Sequence, residues 1–278
     1  MQKGLSTWKA ILAIFLGIAI LVFAQGTSGL VKLLPLPEGI ANAIFSCLYV
    51  SFTYLLIKLL CNKVLHTTMA DCRITKPKVN PYWIACAIIL PVGVSAILLS
   101  TPGNLVNNHL TVGQISNVVV IALFVVGLGA GVVEEMVFRG VIMRALERRW
   151  GKPIAILVPS VIFGLVHAIG ANMNILDLLL LFVAGTSVGI MFSLIVYQSG
   201  SIWPSAVMHG IWNVMMIGGI LDINAEYNAD AIFSYELSSD SFFLTGGAFG
   251  VEASIIAVCG YISVVFLILF LLKRKSKQ

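Results

Sequence analysis

Charged residues are scarce in this sequence. Asp, Glu, Lys and Arg make up 10% of its 278 residues, whereas hydrophobic residues make up 59%. A soluble globular domain carries about a quarter charged residues. This shortage excludes a soluble domain of ordinary composition, because so much apolar surface needs lipid as its solvent. We therefore expect an all-α polytopic membrane protein that encloses a polar intramembrane site.

Cysteine pairing and two protease motifs are absent as well. The five cysteines show no paired spacing, and most fall within apolar runs; they are Cys47, Cys61, Cys72, Cys86 and Cys259. We expect free thiols rather than a disulfide or a metal site. The sequence has no His-Glu-x-x-His zinc motif. It also lacks the Gly-Asp pair that intramembrane aspartyl proteases use.

Eight apolar runs are long enough to cross the hydrocarbon core of a bilayer. The predicted spans are 8–24, 39–61, 82–99, 114–143, 153–169, 176–197, 201–221 and 251–272. The fourth is over-long, so we expect its C-terminal part to project from the membrane as a polar helix ending near Arg149. The longest stretch outside the spans, 222–250, is interpreted as a poorly ordered loop rather than a lid. Residues 1–278 are predicted to form a single membrane-embedded domain with a core at 114–221.

Basic residues collect on one side of the predicted spans. Those residues are Lys3, Lys9, Lys63, Arg73, Lys76, Lys78, Arg148, Arg149, Lys152, Lys273, Arg274, Lys275 and Lys277. The other side has Lys32 and the acidic residues Glu38, Asp222, Glu226, Asp230, Glu236 and Asp240. Since lysine and arginine remain in the cytoplasm, both termini are predicted to be cytoplasmic. The net charge of +5 reflects this orientation, and no nucleic-acid partner is expected.

Glycines recur at four-residue spacing on two of the spans. Gly127 and Gly131 lie on the fourth, and Gly185 and Gly189 lie on the sixth. This spacing lets two membrane helices approach closely. It predicts that both spans are held tightly by their neighbours.

The fourth span carries two adjacent glutamates, Glu134 and Glu135, followed by Arg139. An ionisable group at bilayer depth costs about 3 kcal/mol, so it generally faces a protein or water-filled interior and serves function. Glu135 and Arg139 are four residues apart on a helix, which predicts a buried ion pair. Glu134 points about 100° away and lacks a local partner, which suits a proton acceptor. A purely structural role for the carboxylates is the alternative.

Two later spans each carry a histidine. Phe163 and His167 form Phe-x-x-x-His, and His209 and Asn213 form His-x-x-x-Asn on one helix face. A lone membrane histidine more often joins helices by a hydrogen bond than it catalyses, but two beside a carboxylate pair indicate a site. At about 1.5 Å per residue, Glu134, His167, His209 and Asn213 lie roughly 15, 21, 12 and 18 Å from the cytoplasmic edge. The four groups can therefore meet in one layer.

A cluster of this kind has the groups needed to hydrolyse an amide bond with water. Glu134, assisted by His167, could deprotonate the water that attacks the carbonyl. His209 and Asn213 could donate hydrogen bonds to the developing oxyanion. The neighbouring ion pair would support the site by fixing the fourth helix and the electric field around the base.

A zinc-dependent mechanism is the alternative to hydrolysis by a water that Glu134 activates without a cofactor. Two histidines and a glutamate form a known catalytic zinc ligand set, and here they would be Glu134, His167 and His209. We rank this alternative second, because the ligands come from three spans and no pair has the usual helical ligand spacing.

The three motifs together resemble the CAAX-protease and bacteriocin-processing (CPBP, or Abi) family of intramembrane proteases. The family is marked by Glu-Glu-x-x-x-Arg, Phe-x-x-x-His and His-x-x-x-Asn on successive membrane helices. Here the motif residues are Glu134, Glu135, Arg139, Phe163, His167, His209 and Asn213. The resemblance covers the core from Glu134 to Asn213, under a third of the chain.

The resemblance implies an all-helical eight-span fold and an endopeptidase that acts on a membrane-associated protein or peptide within the lipid bilayer. It implies a glutamate-activated water, although such proteins have often been described as metalloproteases. Eukaryotic relatives trim prenylated CAAX proteins, and bacterial relatives are linked to bacteriocin self-immunity and peptide processing. This compact chain looks more like the bacterial kind, which predicts a bacterial cell membrane. The sequence carries no signal for an oligomeric state.

Two readings from other functional classes remain open. A proton-coupled transporter would also use carboxylates and histidines, but such transporters often show internal repeats, and we detect none. A non-catalytic immunity or scaffold protein could keep the same core and act by binding. The intact set of motif residues weighs against it.

Overall fold

Helices dominate the structure. The computed structural model describes residues 5–275, apart from the side chain of residue 275, and 73% of the protein is helical. The long helices are α1 Thr7–Gly29, α2 Glu38–Leu59, α3 Pro81–Leu99, α4 Val112–Trp150, α5 Lys152–Val166, α6 Ile175–Ser199, α7 Trp203–Met216 and α8 Ile255–Lys275. The predicted all-α polytopic membrane fold is confirmed.

The predicted count of eight spans is not confirmed. In the described part of the chain, six helices are long and apolar enough to cross a membrane. They are Thr7–Leu33, Glu38–Leu65, Pro81–Leu99, Val112–Trp150, Ile175–Ser199 and Ile255–Arg274. The remaining two, α5 and α7, have 15 and 14 residues. At 1.5 Å per residue they reach about 22 and 21 Å, less than a hydrocarbon core of about 30 Å. Both carry a histidine motif at or near their C-terminal end.

Helix α4 positions the two glutamates. It begins at a capping box, in which the Thr111 side chain and Gln114 satisfy each other's backbone amides. It ends before Gly151, whose φ of 83° no longer permits a helix. Two π-helical segments, Ile121–Ala130 and Met136–Ile142, flank the five-residue α-helical segment Gly131–Glu135. Such wide turns are frequent at functional sites, and here they bracket both carboxylates.

The glycines predicted to pack helices do so. A Cβ on Gly131 would lie 2.9 Å from the Cα of Gly210, so α4 and α7 are in backbone contact. A Cβ on Gly185 would lie 2.5 Å from the Cα of Gly164, which joins α6 to α5 in the same way. These two contacts lie beside His209 and Phe163, and they bring the motif-bearing helices together.

One end of the protein gathers the basic segments. Arg149 Nε donates to Thr7 Oγ1 at 2.8 Å, which joins the end of α4 to the start of α1. Arg73 of the 66–80 loop pairs with Glu147 at 2.7 Å, and the Ile202 amide donates to the Arg73 carbonyl. The clustering agrees with the charge asymmetry of the sequence. Lys3 and Lys277 and the side chain of Lys275 lie outside the described residues.

The opposite end carries a small sheet of β1 Gly103–Asn107, β2 Leu221–Asn224 and β3 Phe233–Leu237. The strand order is β1-β3-β2, with β1 antiparallel and β2 parallel to β3. The helical turns Phe242–Thr245, Gly247–Phe249 and Val251–Ala253 follow. The interpretation of 222–250 as a poorly ordered loop is therefore wrong. The pairing of β1 with β3 joins segments more than 100 residues apart, which local sequence patterns do not reveal.

Candidate active site

Glu135 and Arg139 form the ion pair that their spacing predicts. Arg139 Nη1 lies 2.9 Å from Glu135 Oε1, and neither side chain is exposed. Arg139 Nη2 also donates to the Gly189 carbonyl at 3.3 Å, and the guanidinium lies 4.4 Å from the centre of the Phe163 ring. The pair is thus enclosed by α4, α5 and α6. It links the first two motifs physically.

Glu135 has two further partners on α7. Ser205 Oγ donates to Glu135 Oε2 at 2.7 Å, and His209 Nδ1 lies 3.3 Å from Oε1. Because an ionised carboxylate only accepts, Nδ1 carries the proton. Nε2, the nitrogen on the far side of the ring, carries the lone pair of the neutral form or the second N–H of the imidazolium.

Glu134 lies on the other side of that imidazole. Its Oε2 is 3.9 Å from His209 Nε2, and its side chain is 20% exposed. This oxygen is itself enclosed and has no hydrogen-bond partner in the described part of the chain. The predicted absence of a local partner for Glu134 is therefore seen in the structure.

His167 follows the last residue of α5. Its Nδ1 lies 2.7 Å from the Phe163 carbonyl, which only accepts, so Nδ1 is protonated and Nε2 is free. The Phe163 ring packs against both imidazoles, with centroids 4.9 Å from His167 and 5.8 Å from His209. No His167 nitrogen lies within 4.0 Å of a Glu134 carboxylate oxygen. The imidazole beside Glu134 is that of His209.

Asn213 lies one turn beyond His209 on α7 and is 6% exposed. Its Nδ2 donates to the Val126 carbonyl of α4 at 2.9 Å. This bond fixes the amide and uses one of its two N–H groups. The second N–H remains for a ligand.

One cavity of about 150 Å³ collects the predicted groups. Its walls include all four predicted catalytic residues and Phe163, while Glu135 and Arg139 lie behind them. Five further polar or aromatic side chains were missed by the sequence reasoning: Phe192, Trp212, Phe249, Glu252 and Tyr261. Glu252 falls inside the predicted span 251–272, so the signal that singled out Glu134, a carboxylate in an apolar run, was present there too.

The ligand set of the zinc alternative lines this cavity without forming a metal site. In the described part of the chain, no group of three or more His, Cys, Asp or Glu side chains is placed to hold a metal ion. Glu134, His167 and His209 therefore do not fit a pre-formed zinc centre. We derive no step through a metal.

A Gly-x-Ser-x-Gly pattern occurs at residues 185–189. In serine hydrolases it places the serine on a sharp turn between a strand and a helix. Here it lies inside α6, and Ser187 Oγ donates to the Val183 carbonyl at 2.7 Å. Its glycines pack against α5. The pattern serves helix packing in this chain.

Comparison with known proteins adds one match. Residues 116–215 match the family model described as Type II CAAX prenyl endopeptidase Rce1-like. No curated protein and no solved structure matches the chain. The matched segment contains every motif residue, the whole of α5 and α6, and most of α4 and α7. The match covers under half of the chain, and together with the motifs it supports the CPBP, or CAAX-protease, family of intramembrane proteases.

Proposed function

We propose that this protein is a CAAX-type intramembrane endopeptidase, which hydrolyses a peptide bond of a membrane-associated protein or peptide with a water activated by Glu134. One observation carries the proposal. A carboxylate oxygen without a partner faces His209 Nε2 in a cavity inside the family-matched segment. An unpaired carboxylate at this depth is costly and is retained where it is used.

In this mechanism Glu134 removes a proton from the water as the water oxygen attacks the scissile carbonyl carbon. His167 assists by accepting a hydrogen bond from the same water at its free Nε2. Asn213 donates its second N–H to the oxyanion. His209 donates from Nε2 when its ring is the imidazolium, and the Glu135 carboxylate on Nδ1 stabilises that charge.

The surroundings of the reaction follow from the same proposal. The substrate reaches the cavity from the lipid bilayer, since the helices that enclose it are those of an integral membrane protein. We place both termini in the cytoplasm, on the side of the basic segments, in a bacterial cell membrane. Bacteriocin or peptide processing in self-immunity is the corresponding physiological role.

Cleavage by the purified full-length protein tests the proposal. The probe is a farnesylated Cys-aliphatic-aliphatic-X peptide in liposomes, with the same peptide lacking the farnesyl group beside it. Mass spectrometry of the products should show cleavage by the wild type and none by Glu134→Ala or His167→Ala. Glu226→Ala, which removes an exposed carboxylate outside the cavity, should cleave normally.

Chelation belongs to the same assay. Activity should survive EDTA and phenanthroline, because no step passes through a metal. Loss of activity that zinc restores would transfer the mechanism to a zinc-dependent form of the protease. Normal cleavage by Glu134→Ala would exclude Glu134 as the base.

A further inference from the structure

A third carboxylate lines the cavity, and none of the three motifs contains it. Glu252 lies in the helical turn Val251–Ala253 directly before α8. Trp212 Nε1 donates to its Oε1 at 2.7 Å, and the Tyr261 hydroxyl donates to its backbone carbonyl at 3.1 Å. Both the side chain and the backbone of Glu252 are therefore held in place at the cavity wall.

The surroundings of Glu252 favour a neutral carboxyl. Glu135 is ion-paired with an arginine, but no Lys or Arg pairs with Glu252 among the residues that the structure describes. Burial raises the pKa of the Glu252 carboxyl; the Trp212 hydrogen bond and the charges of His167 and His209 oppose this rise. The charge of Glu134 adds to it.

The two oxygens of Glu252 are not equivalent. Oε1 accepts a hydrogen bond from the indole N–H, and the C=O oxygen of a protonated carboxyl group can accept this bond too. Oε2 has no hydrogen-bond partner in the described part of the chain. In the protonated carboxyl, Trp212 therefore fixes the C=O, and the O–H remains available to a ligand in the cavity.

We propose that Glu252 is the general acid of this hydrolysis, the group that protonates the leaving nitrogen. The inference rests on the endopeptidase function proposed for the cavity and adds a role that the motif residues leave unfilled. An amine leaves as a neutral molecule only if a proton reaches the nitrogen as the C–N bond breaks. Glu134 takes a proton from the water, and Glu252 supplies one to the nitrogen.

The proton balance closes over one turnover. The attacking water gives one proton to Glu134, and its oxygen bonds to the carbonyl carbon. Glu252 gives its Oε2 proton to the nitrogen, which leaves with the electron pair of the C–N bond. A proton then passes from Glu134 through cavity water to Glu252, and both groups return to their starting forms. One peptide and one water have become one acid and one amine.

Glu252→Gln separates this role from a structural one. Glutamine keeps an oxygen for the Trp212 hydrogen bond but cannot donate a carboxyl proton. The probes are the farnesylated peptide and its analogue in which an ester replaces the amide at the cleaved bond. An alkoxide leaves without prior protonation, so the ester needs the acid far less.

We expect Glu252→Gln to lower the turnover of the amide by about 10²–10⁴-fold. The loss on the ester should be at least about tenfold smaller. Glu134→Gln should lose activity on both probes, because both need the activated water. Glu226→Gln makes the same chemical change at an exposed residue of the 222–250 stretch and should lose activity on neither probe.

Infrared spectroscopy tests the carboxyl without any substrate. At neutral pH the wild type should show a carbonyl stretch of a protonated carboxyl group that Glu252→Gln lacks and Glu226→Gln retains. Equal losses on amide and ester, or full amide activity of Glu252→Gln, would overturn the inference. If the wild type cleaves neither probe, the CAAX-type proposal fails by itself. The infrared comparison then still decides, and an unchanged band in Glu252→Gln rejects the acid.

Discussion

The two sides of α4 place neighbouring carboxylates in opposite surroundings. On the packed side, Glu135 receives Arg139, Ser205 and the Nδ1 of His209. On the cavity side, Glu134 keeps an oxygen without any partner in the described part of the chain. Residues of the same type, one position apart, therefore differ in whether their hydrogen-bonding capacity is satisfied by the protein.

The difference separates structural from chemical roles. A satisfied buried carboxylate stabilises an arrangement, and breaking its ion pair is costly. A buried carboxylate without a partner destabilises the fold, but its free oxygen is available to take part in a reaction. His209 touches both sides, since Nδ1 faces Glu135 and Nε2 faces Glu134. Glu135 therefore fixes the orientation of the His209 ring, and the ring in turn presents its Nε2 to Glu134.

Exchanging each glutamate for glutamine gives the sharpest test of this division. Glu134→Gln should lower the cleavage rate by about 10²–10⁴-fold, because the base is lost, and it should not lower the melting temperature. Glu135→Gln should lower the melting temperature, because Arg139 is left buried without a counter-charge. Peptide cleavage and thermal unfolding in detergent measure both. If both variants lose only activity, the two sides do not differ as we describe.

Removing the cation alone should be more damaging than removing the whole pair. Arg139→Met leaves a buried carboxylate uncompensated and is expected to cost about 3–5 kcal/mol of unfolding free energy. The double variant Glu135→Leu with Arg139→Met should recover most of that loss, since two apolar side chains need no partner. Denaturation curves of the three proteins decide; a double variant as unstable as Arg139→Met would contradict the prediction.

Removing the side-chain amide of Asn213, which lines the cavity, should reduce turnover more than substrate binding. Asn213→Ala removes an oxyanion donor, for which about 2.7–4 kcal/mol of transition-state stabilisation is typical. It should appear in kcat with KM nearly unchanged. Asn42→Ala is the matched control, because Asn42 donates to Asn117 between α2 and α4, away from the cavity. A loss confined to KM would remove Asn213 from the oxyanion site.

A methyl group between α4 and α7 should give the smallest effect. Gly131→Ala places a Cβ 2.9 Å from the Gly210 backbone, so the helices must separate, at a cost of about 1–3 kcal/mol. Because the shift widens the gap between Glu134 and His209, activity should fall as well. Gly93→Ala adds the same methyl where nothing lies within 4 Å, and it should be neutral. Equal behaviour of the two variants would show that this contact does not set the site.

The site was more predictable from sequence than its surroundings. The Glu135–Arg139 pair and the face shared by His209 and Asn213 follow from helical spacing, which is local. Glycine spacing likewise predicted that the fourth and sixth spans are packed tightly, but it did not predict which helices they touch. The contact of His209 with both glutamates is not local, because it depends on how α7 crosses α4, and no spacing within either helix fixes that.

The parts that could not be predicted are non-local in the same way. The sheet pairs Gly103 with Leu237. The sulfurs of Cys61 and Cys72 lie 3.7 Å apart, although the spacing of these cysteines in the sequence does not predict the contact. The two histidine-bearing helices are shorter than their apolar runs suggested, because the apolar residues continue beyond the last helical turn. Glu252 stands out in the sequence as a carboxylate in an apolar run, but only the fold shows that it shares a cavity with Glu134.

The dimensions of the cavity constrain what can enter it. Its 150 Å³ is well below the roughly 300–1,000 Å³ of pockets that hold small ligands. An α-helix with side chains is about 10–12 Å wide, so no helical segment fits between these walls. Under the function that we propose, a polypeptide substrate therefore enters the cavity locally uncoiled, as an extended strand. On the same proposal, ease of unwinding near the cleaved bond limits which polypeptides are cleaved more than the identity of their side chains does.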